Sequence, residues 1–230
     1  MTIDQQPELY LQQGLLELGD TSSGTLELLP KLWFAAEALS SSKVSDRRTG
    51  LEMILEQRAP RISPLLTYLL FTRITDPDLE IRKLVVEALV DVMGPDDEGL
   101  PAAESVRVNL HAHLSQMESS KIIALLEAAA FDPSVEPNID ILIKTCTDSG
   151  NILADIANDR TQSINIRELA IILIGRIGCL DAQPTLERLA SRLESKMNGQ
   201  QVMPFNRVDE KHEVALLPSI RIALDYLRAP

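Results

Sequence analysis

The sequence predicts an all-α protein. Three observations carry that reading. Apolar residues recur at three- and four-residue intervals over most of the chain, as in Ile81, Leu84, Val85, Ala88, Leu89 and Val92. No period-2 run of β-branched residues interrupts them. The segments between are short and marked by Pro, Gly, Ser or Asp, which cap and stop helices.

Taken in order, residues 1–18 hold Leu9, Leu15, Leu16 and Leu18, a weak amphipathic helix, followed by the loop Gly19–Gly24. We read residues 1–24 as a capping helix and loop, and residues 25–230 as one helical array. Thr25–Leu39 presents Leu26, Leu29, Leu32, Trp33, Ala36 and Leu39 to a core, and Ser40–Ser42 ends it. Asp46 is placed to cap the next helix, which carries Leu51, Ile54 and Leu55. After Pro60 and Pro64 comes a helix whose buried side is expected to hold Leu65, Leu66, Leu69, Leu70 and Ile74. Asp76 is expected to cap the helix up to Gly94, with Pro77 at its first position, where a missing N–H costs nothing. The stretch Pro95–Gly99 reads as a flexible acidic turn.

Further on, Pro101–Met117 buries Val106, Leu110, Leu114 and Met117, and Ser119–Phe131 buries Ile122, Leu125, Leu126 and Ala129. Ile139, Leu142, Ile143 and Cys146 mark the next helix; Ser149-Gly150-Asn151 reads as an interruption, with one short extra turn over Ile152–Ala157. Ile164–Ile177 ends at Gly178, and Pro184 opens a helix with Leu186, Leu189, Ala190 and Leu193. A long aperiodic loop, 196–212, precedes a last helix with Leu217, Ile220, Ala223, Leu224 and Leu227.

Composition narrows the function. Hydrophobic residues make up 45% of the 230, enough for a core, while aromatics are 3%, so aliphatic side chains do the packing. A formal charge of −12 argues against nucleic acid and anionic membrane surfaces as partners, because both are bound through clustered Lys and Arg. No apolar run approaches the ~20 residues of a membrane span. No basic start with an apolar core follows Met1, so the expected location is cytoplasmic. Cys146 and Cys179 lie in apolar helical pattern and read as buried reduced thiols.

The helices echo one another. Arg48 precedes Leu51, Ile54 and Leu55; Arg82 precedes Val85, Ala88 and Leu89; Arg167 precedes Ala170, Leu173 and Ile174; and Lys121 precedes Ala124 and Ala128. The intervals from Arg48 through Arg82 and Lys121 to Arg167 are 34, 39 and 46 residues, and a last copy starts near Val214. Such periods in helical pairs predict an α-solenoid. The segments 78–89 and 166–175 resemble the first helix of a HEAT repeat, and the resemblance spans residues 25–228. It implies a right-handed α-solenoid of about five helical pairs. It also implies a structural ladder in which a turn Asp and a helix Arg join neighbouring repeats, at positions matched by Asp78, Arg82 and Arg167. Asp46 with Arg48 matches with a displacement, and the third and last copies lack the Arg.

The same resemblance frames the chemistry. HEAT-like deoxyhypusine hydroxylases hold iron with several His-Glu dipeptides, whereas this chain has only His212-Glu213. HEAT-like DNA glycosylases need a basic, aromatic groove, which this composition opposes. His111 and His113 point to different sides of one helix and lack metal-ligand spacing. No phosphate loop, Cys-x-x-Cys pair or nucleophile motif occurs, so no catalytic, metal or cofactor residue is assigned.

The expected function is therefore a non-catalytic protein-interaction module, an adaptor or assembly factor that uses its repeat surface. The alternative is a HEAT-like phycobilin lyase with a bound chromophore. The helices expected to line the inner face carry Tyr68, Phe71, Arg73, Arg107, His111, Lys144, Arg188 and Arg192. These gather basic groups suited to an acidic or helical segment of another protein. Met203 and Phe205, in the long loop, are further candidate partner contacts, and the end repeats could support self-association.

Overall fold

The computed structural model describes residues 23–197 and 213–228. Among them every regular element is helical; the one β feature is an isolated bridge between Pro95 and Pro101. No helix among them is long and apolar enough to cross a membrane. The expected capping helix in residues 1–18, and Met203 and Phe205, lie outside the described residues. The chain divides into two compact units, Met1–Ala59 and Pro60–Pro230.

In the first unit, α1 (Ser23–Leu39) packs on α2 (Val44–Glu56). Ala35, Leu39, Leu51 and Ile54 form the buried seam. Gly50 allows the approach, since a Cβ there would stand 2.6 Å from the Ala35 carbonyl oxygen. Trp33 departs from the expected apolar face: it is 74% exposed, and Phe34 beside it is 60% exposed. Asp46 does not cap α2. It lies inside the first turn and accepts a hydrogen bond from the Ser41 hydroxyl at 2.9 Å. Arg47, not Arg48, holds the buried position and donates to the carbonyls of Ser41 and Ser42.

The second unit begins with α3 (Pro64–Thr72), capped by Ser63. Its phase is turned from the expected one. Thr67 and Phe71 join Leu66, Leu70 and Ile74 in the core, while Leu65 faces out at 59%. In α4 (Leu79–Met93) the cap is Asp78, whose Oδ1 accepts from the Ile81 N–H at 3.0 Å. Asp76 sits two residues earlier and accepts from the Asp78 N–H. The turn after α4 is tied by hydrogen bonds. Asp96 Oδ1 accepts from the N–H groups of Glu98 and Leu100, and the buried Arg61 guanidinium donates to the carbonyls of Asp91, Gly94 and Leu100.

The helices α5 (Glu104–Ser115), α6 (Ser119–Phe131) and α7 (Glu136–Lys144) bury the apolar positions that the periodicity marks. Ser149-Gly150-Asn151 is not an interruption: it is the first turn of α8 (Ser149–Asn158). A Cβ at Gly150 would meet the exposed Asp181 carboxylate, a side-chain tip that can turn away. α9 (Ile164–Ile177) ends at Gly178 with φ 82°, the left-handed stop that glycine permits. α10 (Gln183–Met197) and, after the turn Val214–Leu216, α11 (Leu217–Arg228) complete the unit. Within it α4 packs on α6, α6 on α9 and α9 on α11, while α3 packs on α5 and α8 touches α10.

The glycines at these seams give a sharp expectation. At Gly175 a Cβ would stand 2.8 Å from the Ala223 Cα of α11, and backbone cannot move aside as a flexible side-chain tip can. Alanine normally gains about 1 kcal/mol over glycine inside a helix. Overpacking against backbone costs about 2 kcal/mol or more and outweighs it. Gly50→Ala and Gly175→Ala should both lower the urea midpoint. Gly94→Ala, whose nearest neighbour would be 3.6 Å away, should shift stability by no more than about 0.5 kcal/mol.

Candidate functional site

The arginines that the sequence singles out make the same kind of bridge twice. Arg82, on α4, donates through Nε to the Asp76 carbonyl and through Nη1 to the Ala124 carbonyl and the Glu127 carboxylate of α6. Arg167, on α9, is 3% exposed. It donates through Nε to the Ala157 carbonyl at the end of α8 and through Nη2 to Glu213 at 2.9 Å. The carboxylate partners lie 45 and 46 residues downstream of their arginines. Arg167 occupies a carbonyl in the last turn of α8, Arg82 takes one in the turn before α4 and reaches another inside α6, and each carries one ion pair onward. Asp78 caps α4, its Oδ1 accepting from the Ile81 N–H.

Glu213 is the centre of a cluster of charges. It is 4% exposed, and four cations converge on it. Oε1 takes Arg167 at 2.9 Å, Arg192 at 3.1 Å and Arg160 at 3.3 Å, and Oε2 takes Lys196 at 2.9 Å. Burial alone would raise its pKa. The hydrogen bonds from Lys196 and Arg167, with the charges of Lys196 and Arg160, instead hold it down at about 2. A second inter-helix pair, Lys83 with Asp132 at 2.6 Å, acts likewise: hydrogen bonds from Lys83 and Ser134 hold Asp132 at about 2.

The expected partner-binding residues fall in separate places. Tyr68 and Phe71 on α3 both meet the His113 ring of α5, with centroids 5.1 and 5.3 Å away, and the Lys121 ammonium lies 5.5 Å from the Phe71 centroid. Tyr68 is half exposed, but Phe71 is buried beneath this stack. Arg73 is half-buried, with its Nε against the Thr72 hydroxyl. Arg107 and His111 line an open cleft of about 340 Å³ with Glu104 and Val108 on α5. Lys144 lines another, of about 460 Å³, with Ser149, Asp181 and both cysteines. Cys146 and Cys179 are free and buried; burial pushes the Cys179 thiol up, while a hydrogen bond with Ser149 pulls the other way. Arg188 is exposed on α10, and Arg192 is engaged with Glu213.

Sequence reasoning missed His113 and Lys121 as ring partners, and Arg160, Lys196 and Glu213 as a cluster. One signal was available for the last: a buried Arg167 needs a carboxylate, and Glu213 stands at the edge of the next apolar helix. Among the described residues, no three His, Cys, Asp or Glu side chains are grouped so as to hold a metal ion. Compared with protein-family models, curated proteins and solved structures, the chain gives no match.

Glu213→Gln leaves four cations around a neutral amide and should cost about 3 kcal/mol, read as a lowered midpoint in urea melts at pH 7. The folded pKa lies below the unfolded one, so the stabilisation is complete above about 4.5 and is lost as pH falls toward about 2. Wild-type melts should therefore lose stability across that window more steeply than Glu213→Gln.

Proposed function

We propose that the chain is a non-catalytic protein-interaction module built as a right-handed array of HEAT-like helical pairs, which binds a segment of another protein along its helices. One observation carries the reading. The same arginine bridge occurs twice, with carboxylate partners 45 and 46 residues downstream, at the α4-to-α6 step and at the α9-to-α11 step. A device repeated at a near-constant interval is what stacked repeats require, because each unit covers only its neighbours. Stacking leaves an extended face whose side chains choose a partner, as Tyr68, Arg107, His111 and Arg188 are exposed to do.

A pull-down of the tagged full-length chain from its native cells, followed by cross-linking and mass spectrometry, tests this. The expected result is a reproducible protein partner with cross-links on α3, α5 or α10. Its binding should fall at least tenfold in a Tyr68→Ala/Arg107→Ala/His111→Ala variant or in Arg188→Ala, according to where the cross-links lie. Recovery of the protein with a tightly bound chromophore and no protein partner would overturn the module and favour the lyase alternative.

A further inference from the structure

We infer that the basic cluster around Glu213 is a recognition site for a short acidic segment of a partner protein, with Arg160, Arg192 and Lys196 as its donors; the inference rests on the interaction-module reading. The charge count is the first reason. Four cations meet one carboxylate within ion-pair distance. Asp159, next to Arg160 in the chain, is engaged by the backbone and hydroxyl of Thr161 and by Gln162. Among the described residues, cations outnumber carboxylates here, on a chain whose formal charge is −12.

Exposure is the second reason. Arg167 is sealed at 4% side-chain exposure and fixes Glu213, but Arg160, Arg192 and Lys196 are exposed at 56%, 40% and 28%. Glu213 meets Arg160 through Nε and Arg192 through Nη2. Each guanidinium has five N–H donors and an ammonium has three, so donors remain for an incoming carboxylate. Their pairs with the buried Glu213 carboxylate also hold these side chains in place before a ligand arrives, so less conformational entropy is lost on binding.

The size of the cluster selects the ligand. A duplex or long single strand would extend past it onto the acidic surface and be repelled there. Two or three neighbouring carboxylates fit within a Debye length of about 8 Å, where the local cations outweigh the distant acids. Arg188, one turn before Arg192 on α10 and exposed, extends the donor row along the helix.

The test uses the full chain, labelled with 15N, and an acetylated, amidated peptide of six glutamates at low ionic strength. The expected shifts centre on residues 160, 188, 192 and 196, and fade on adding salt. The double variant Arg160→Gln/Lys196→Gln should bind about tenfold more weakly. Its substitutions leave the Arg167 and Arg192 pairs with Glu213, and its urea melt verifies the fold. Equal binding by a variant that melts as a folded protein overturns the site, and so do shifts spread evenly over the surface or no binding at all. An unstructured oligonucleotide that binds the cluster more tightly than hexaglutamate overturns the peptide assignment. Cross-links from a captured partner that fall only on other helices overturn this site and leave the interaction module standing.

Discussion

A guanidinium that reaches from one helix to the next is the interaction on which the second unit depends. Helix ends leave carbonyls unpaired, and packing helices in sequence buries some of them. Arg82 and Arg167 meet that need with a planar fork that takes a carbonyl through one nitrogen and a carboxylate through another. Without such a bridge the buried carbonyls would be left unsatisfied, and the carboxylate buried at Glu213 would be too costly to keep charged. Arg61 does the same for the turn after α4, closing three carbonyls with one side chain.

The bridges are spaced by close packing between them. The core is aliphatic, and small residues let backbones approach, as at Gly175 against Ala223 and Gly50 against Ala35. Ion pairs at the rim, such as Arg176 with Glu136 and Asp140 from α9 to α7, fix the helices further. Exposed pairs contribute little each. The buried Arg167–Glu213 pair matters more, because removing one partner strands the other.

The helices themselves were legible where local signals agree. Ser119–Phe131 and Ile164–Ile177 have the bounds the sequence predicts, since the apolar period, a polar start and a stop residue coincide. The misreadings have tertiary causes. Gly150 reads as a breaker, yet it lies in the first turn of α8, beside the Asp181 carboxylate of a later turn. The nine-residue α3 is apolar nearly all round, so its period could not choose between Leu65 and Phe71 for the core. Asp76 and Asp78 are equally good caps by type, and only the backbone decides between them. The cluster at Glu213 was legible only through Arg167. Its other members come from an inter-helix turn and from two turns of α10, and no periodic pattern marks residues brought together by folding.

The two thiols have a consequence of their own. Cys146 and Cys179 flank the corners where α7 turns into α8 and α9 into α10, and both are shielded in the native chain. The thiolate is the reactive form, and desolvation disfavours it at Cys179. Alkylation at neutral pH then waits for the corner to open. The two sulfurs serve as native clocks for breathing at the middle of the second unit, and their labelling rates measure that local free energy without any engineered probe.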